Sequence, residues 1–387
     1  MSAVNNPDDT ARPPLAGTRV VHLASLGPGP YSAMLLADLG AEVIVIDRTR
    51  EMLVSVAQER DPRRRSQRSI ALDLKQAEAR AIAMELIARS DVLIEGMRPG
   101  AAERLGVGPA DCMARNPRLV YARVTGWGQE GPLAQTAGHD INYIALSGAL
   151  HAMGRGDEPP PVPLNLLGDY AGGGAFVALG ILAALLERNR SGKGQVLDGA
   201  IVDGVASLTA ATMGILAAGG WGPRGTTLFD GAAPYYRTYA TRDGGYVAVG
   251  AIEPEFYAQL LTGLGLDAAH WPQNKRALWP AMADAFAAIF ATRDRDDWAQ
   301  VFANTDACVS PVLDFNEATA HAHHRARHTY VEVAGVPQPA PAPRLDRSAL
   351  ATPTPPPGRG AHTDAVLREL GHDDTSITRL RQQGVVA

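Results

Sequence analysis

Cysteine is scarce in this sequence: Cys112 and Cys308 are the only two among 387 residues. Two thiols so far apart make neither a disulfide framework nor a paired-thiol metal motif. They suit a reducing compartment, and a cytoplasmic location is expected. Excess positive charge is missing too. The net charge is −5 with histidine neutral, so no global basic field points to nucleic acid. No apolar run reaches the roughly 20 residues of a membrane span, so no membrane partner is expected. The nearest, Ala171–Leu186, carries glycines and a helical spacing that suit a packed helix. Residues 1–14 are polar and proline-rich, without the apolar centre of a secretory signal, and read as a disordered lead-in. The last residues, Gly384–Ala387, carry no peroxisomal or retention address.

What is present is an ordinary globular composition, 46% hydrophobic and 20% charged. At roughly 150 residues per domain, the length suggests two or three domains. Arg19–Ala24 reads as a buried strand, Gly27–Pro30 as a turn, Tyr31–Leu39 as a helix and Glu42–Ile46 as a second strand closing on Asp47. This β-α-β unit implies a parallel sheet. The alternation continues through a helix at Gln76–Ala88, a strand at Val92–Glu95, a helix opening at Ala101–Leu105 and a strand at Leu119–Thr125. Two apolar helices follow, Gly172–Arg188 and about Asp198–Ala218. Tyr235–Thr241 and Tyr246–Ala251 flank Arg242-Asp243-Gly244-Gly245, a hairpin signal. Glu255–Leu264, Trp279–Ala291 and Asp294–Phe302 read as amphipathic helices, Gly335–Gly358 as an extended linker and Asp364–Leu370 as a last helix.

The first β-α-β unit invites a dinucleotide reading, with Gly27, Gly29 and an acid, Asp47, at the right distance. The third glycine is absent, however, since Ser32 stands there, and Pro28 and Pro30 remove N–H donors that would cradle a pyrophosphate. Arg48, one residue further, instead suits a phosphate at a strand's C-terminal end.

Chemistry-bearing residues each have a plain structural explanation. His321, His323, His324 and His328 lie in a polar segment beside Arg325 and Arg327, which oppose a cation; no metal is expected there. His139 stands at a loop-to-helix junction, where capping would explain it as well as catalysis. Asp169 lies between an apolar run and Gly172–Gly174, where an N-cap role competes. Glu253 ends a strand before Pro254, either exposed or awaiting a cationic partner. Arg63, Arg64, Arg65, Arg68 and Arg98 form either a solvated surface or a phosphate site.

Read together, the motifs resemble the family III CoA-transferases (the CaiB/BaiF superfamily), and within them the α-methylacyl-CoA racemases. The carrying segments are GHDINY at Gly138–Tyr143, PLNLLGDYAGGG at Pro163–Gly174, SGKGQVLDGAIVDG at Ser191–Gly204, and Asp230–Pro254, which opens DGAAPYYRTY and closes YVAVGAIEP. The likeness runs from about Leu15 to the C-terminal helix. It implies an α/β fold: a large Rossmann-like parallel-sheet domain and a smaller α+β domain, in an interlocked homodimer. The large domain would span 15–200, completed by about 345–387. A linker helix would cover 201–225, the small domain 226–325 and a return linker 326–344.

The resemblance also implies an enzyme that interconverts (R)- and (S)-2-methylacyl-CoA thioesters. Its acid–base pair would be His139 and Asp169, with Glu253 of the partner subunit beside the histidine. Coenzyme A contacts would fall at Arg48, at Leu72, Asp73, Leu74 and Lys75, at Gly96, Met97 and Arg98, at Arg104, and at Gly138, Asp140, Ile141, Asn142 and Tyr143. Coenzyme A enters as part of the substrate, and no cofactor or metal is implied. The alternative within the family is a CoA-transferase in which Asp169 attacks the thioester.

Overall fold

A computed structural model describes residues 12–50, 56–350 and 352–387. Most of the lead-in expected at 1–14 therefore lies outside the described residues. Two compact units are present. The described part of Met1–Ser147, with Pro163–Leu208 and Arg327–Ala387, forms the first. Gly148–Val162 and Thr209–Ala326 form the second.

The first unit is built on six parallel strands: β1 (Arg19–Leu23), β2 (Glu42–Asp47), β3 (Gln67–Ala71), β4 (Val92–Glu95), β5 (Val120–Thr125) and β6 (Val196–Ala200). Their order is β3-β2-β1-β4-β5-β6, every neighbouring pair parallel. Alternation within β2 shows how the sheet is covered on both faces. Ile44 and Ile46 enter one apolar layer with Ile82, Leu86, Val366 and Leu380. Val43 and Val45 enter the other with Leu36, Val177 and Ile181. Each such side chain, removed from water, stabilises the fold by about 1.5–3 kcal/mol.

Several expectations need correction. β3 was not foreseen. β6 occupies the start of the second expected helix, which is instead split into Ile201–Leu208 and Ala210–Ala217. The long helix begins six residues early: a π-helical stretch, Leu166–Ala175, runs directly into the α-helix Phe176–Ser191. Together they make 26 residues, long and apolar enough by length and composition to cross a membrane. Val177, Ile181, Ala184 and Leu185 nonetheless pack into the sheet's apolar layer. The expected linker at Gly335–Gly358 opens in an antiparallel hairpin, β10 (Tyr330–Val333) with β11 (Val336–Pro339). A second C-terminal helix, Asp374–Gln382, follows Thr363–Leu370.

The second unit carries an antiparallel sheet of β7 (Tyr236–Ala240), β8 (Tyr246–Gly250) and β9 (Val309–Pro311). Helices Pro254–Leu264, Trp279–Phe290 and Arg295–Val301 lie close to the expected positions. Their core is aromatic, with Tyr235, Tyr239, Phe286, Phe290 and Trp298 buried together. Both cysteines are free; Cys112 is buried and Cys308 is exposed. Among the described residues no group of three or more His, Cys, Asp or Glu could hold a metal ion.

Candidate active site

In an open parallel sheet, ligands bind beyond the C-terminal ends of the strands, at the point where strand order reverses. Here that point lies between β1 and β4. Arg48 follows β2, the stretch 72–75 follows β3, Gly96–Arg98 follow β4, and the Gly138–Tyr143 segment comes after β5. The expected coenzyme A contacts thus gather along one edge of the sheet. Arg48, Lys75, Arg98 and Arg104 are exposed. Leu72 departs from expectation: its side chain is 1% exposed and packs in the core, so only its backbone can meet a ligand. Asp73 is drawn into its own turn by the Lys75 N–H at 3.2 Å. A small cavity at this edge is lined by His22, Ser25, Leu26, Asp47, Arg63 and Arg64 among others. Asp47 is committed to structure there, accepting from the Arg64 guanidinium and, at 2.6 Å, from Ser69 Oγ.

His139 begins the short helix Asp140–Leu146 in an extended conformation, φ −133° and ψ 173°. Its backbone N–H donates to Asn142 Oδ1 at 3.0 Å, one half of a capping box at the start of the helix, and the residue is exposed. Tyr143 anchors the segment: its hydroxyl donates to the Gly138 carbonyl and its ring meets Trp127 edge-on at 4.7 Å. Gly126 is required beneath it, because a Cβ there would lie 1.9 Å from the ring. Burial, followed by the nearby Asp169 charge, pushes the Tyr143 hydroxyl up from its ordinary value.

Asp169 sits in the π-helical stretch, not at an N-cap. Such stretches are rare and frequent at functional sites. Its N–H donates to Asp140 Oδ2 at 2.6 Å, and this bond ties the histidine's segment to the acid's. Asp140 is buried, and its Oδ1 has no hydrogen-bond partner. The Asp169 carboxylate accepts from Asn165 Nδ2 at 3.2 Å and lies over Gly27, where an added Cβ would stand 3.1 Å from Oδ2. Gly27 also takes φ +65°, a conformation suited to glycine. Burial raises the Asp169 carboxyl above the usual carboxylate range; the Asn165 bond opposes this, Asp140 adds to it, and His139 and Arg63 oppose it. The acid and the histidine therefore act on each other electrostatically.

Glu253 stands on the second unit, exposed, where β8 turns into the Pro254–Leu264 helix. Its carboxylate makes no hydrogen bond or ion pair within the unit, but its charge raises the nearby Cys308 thiol, after burial. Sequence reasoning passed over Asn165, which had a signal in its helical spacing four residues before Asp169. Arg63 was read only as part of a surface or phosphate cluster; its place beside the acid had no signal, since it reaches Tyr170 Oη (3.4 Å) across 107 residues.

The chain matches CoA-transferase family III over residues 15–363 and belongs to that family. It is 46% identical to an "Alpha-methylacyl-CoA racemase" of Mus musculus, across 96% of this chain and 97% of the other. The protein of the same name from Homo sapiens is 44% identical over the same shares. A CAIB/BAIF family protein from Brucella suis, known as a crystal structure, superposes with a TM-score of 0.81 at 27% identity, over 93% of this chain and 100% of that one.

Proposed function

We propose that the chain is an α-methylacyl-CoA racemase, moving the α-proton of 2-methylacyl-CoA thioesters through an enolate. The observation that carries this reading is the coupling of His139 and Asp169, an imidazole and a burial-raised carboxyl whose segments are tied together through Asp140. Racemisation removes a proton from one face of the α-carbon and returns one to the other, so it needs two bases. In one direction neutral His139 takes the proton and protonated Asp169 delivers one. In the other, Asp169 takes it and the imidazolium gives it back. A carboxyl raised by burial is more readily found protonated, which suits the donor role. Backbone N–H groups near Asp140 are the donors we assign to the enolate oxygen. Nothing in this proton transfer calls for a metal, flavin or nicotinamide.

Coenzyme A, as part of the substrate, would lie along the sheet edge, its phosphates met by the exposed Arg48, Arg98 and Arg104. We further assign Glu253 of a second copy to the His139 imidazolium, in an interlocked homodimer. Large apolar side chains left exposed support a second copy: Leu179 and Leu186 on the Phe176–Ser191 helix, and Met213 and Leu216 on Ala210–Ala217. The two free thiols fit a reducing, cytoplasmic setting.

The test is incubation with (R)- and (S)-2-methylacyl-CoA in deuterium oxide, with hydroxylamine added in parallel. Epimerisation with α-deuteration, and no trapped acyl-enzyme, is expected. Capture of an acyl or CoA ester on Asp169 in place of epimerisation would make the chain a transferase.

A further inference from the structure

The second unit carries a half-open cavity of about 520 Å³ bordered by the Gly225–Ala232 segment, the Arg155–Asp157 loop and the Trp279–Phe290 helix. Small-molecule sites are commonly roughly 300–1,000 Å³. One wall is apolar and regular: Trp279, Ala283 and Ala287 recur every four residues on one helix face, beside Pro280.

The charges lining it are not all engaged. Arg155 pairs with Asp157 at 3.3 Å. Asp230 accepts the N–H groups of Gly225, Thr227 and Ala232 at 2.7, 3.0 and 3.1 Å. Arg237 and Arg276 remain without an ion pair among the described residues. Each guanidinium lies over a ring, Arg237 at 5.4 Å from the Tyr239 centroid and Arg276 at 5.3 Å from that of Trp279. Stacking fixes their orientation without using their N–H groups. Arg237 Nε is buried with no hydrogen-bond partner among the described residues, which leaves the rest of the guanidinium as the part that can meet a ligand.

We propose that this cavity binds a small aliphatic carboxylate, its head on Arg237 and Arg276 and its tail along Trp279, Ala283 and Ala287. A guanidinium fork matches a carboxylate. Asp284, also in the lining, disfavours a doubly charged anion such as phosphate. The site does not depend on the α-proton chemistry, since none of its residues belongs to the acid–base pair or the sheet edge.

Calorimetric titration of the full-length protein with octanoate tests this, with octanol and inorganic phosphate as comparisons. Saturable one-site binding of octanoate alone is expected, unchanged by saturating coenzyme A ester. Arg276→Gln and Arg237→Gln should each weaken it about tenfold or more, the loss of one charge-assisted hydrogen bond. Arg276 is exposed, so Arg276→Gln should keep the wild-type melting temperature and α-proton exchange rate; should Arg237→Gln not fold, that variant decides alone. Absence of saturable octanoate binding, unaltered affinity in Arg276→Gln, tighter binding of phosphate, or displacement by the coenzyme A ester would each overturn the assignment.

Discussion

At the scale of single residues, Asp169 combines a proposed proton-donor role with a cost to the fold. Its native pKa lies above the unfolded value because burial disfavours the carboxylate. The folded state then holds the proton more tightly, so this group's contribution is most favourable at low pH and falls as pH rises through the raised native value. Asp169→Asn should therefore lose α-proton exchange while gaining stability at neutral pH; paired melting curves at pH 5 and 8 check this. His22 has the opposite slope. Burial, then Arg64, holds its pKa at about 3, with Nε2 3.0 Å from Ser25 Oγ. The unfolded chain binds the extra proton first, so stability should fall as pH drops from about 6.5 toward 3. A His22→Gln variant whose melting temperature followed pH as steeply as wild type would contradict this. His139 and Asp169 were visible in the sequence as candidates with structural explanations. The bond that joins them was not, because it spans 29 residues and depends on how Asp140 is buried.

Elements whose side chains alternate cleanly were legible. β1, β2 and β4 each carry an unbroken apolar stretch, Val20–Val21, Val43–Ile46 and Val92–Ile94, as parallel strands covered on both faces do. β3, reading QRSIA, hides its strand character behind polar residues that bond at the sheet edge: Arg68 reaches Glu42 and Glu369, and Ser69 reaches Asp47. β6, reading VLDGA, runs without a break into Ile201–Leu208, and the joined apolar run imitates one helix. The π-helical stretch at Leu166–Ala175 buries Gly172, Gly173 and Gly174 close against Val205, Pro28 and Tyr31, contacts that no periodicity records. Two variants test how elements hold the site. Gly126→Ala drives a methyl group into the Tyr143 ring and should cost about 1–3 kcal/mol, read by chemical denaturation, with exchange activity falling alongside. Glu95, wholly buried at the end of β4, accepts from Arg123 Nε at 3.0 Å and from the Met97 N–H at 2.7 Å. Glu95→Ala leaves Arg123 partly uncompensated and frees the Gly96–Arg98 turn; a loss of about 3–5 kcal/mol is expected.

At the scale of the whole molecule, the parallel sheet, the smaller antiparallel unit and the family were within reach of the sequence, because motifs spread along the chain could be read together; the strand order was not, since β3 and β6 escaped notice. His139 and Asp169 belong to one unit of the chain and Glu253 to the other, and the proposal pairs them across two copies. Equilibrium sedimentation should give a homodimer. Inactive His139→Ala mixed with inactive Glu253→Ala should then recover activity through sites that pair an intact histidine with an intact glutamate. A monomer with full activity would remove the partner's role. The central claim, that two bases of this chain exchange one proton, is met most directly by His139→Ala in deuterium oxide with each enantiomer of a 2-methylacyl-CoA. The account predicts α-deuterium incorporation nearly abolished for both enantiomers while the ester still binds; exchange at the wild-type rate on both would contradict it.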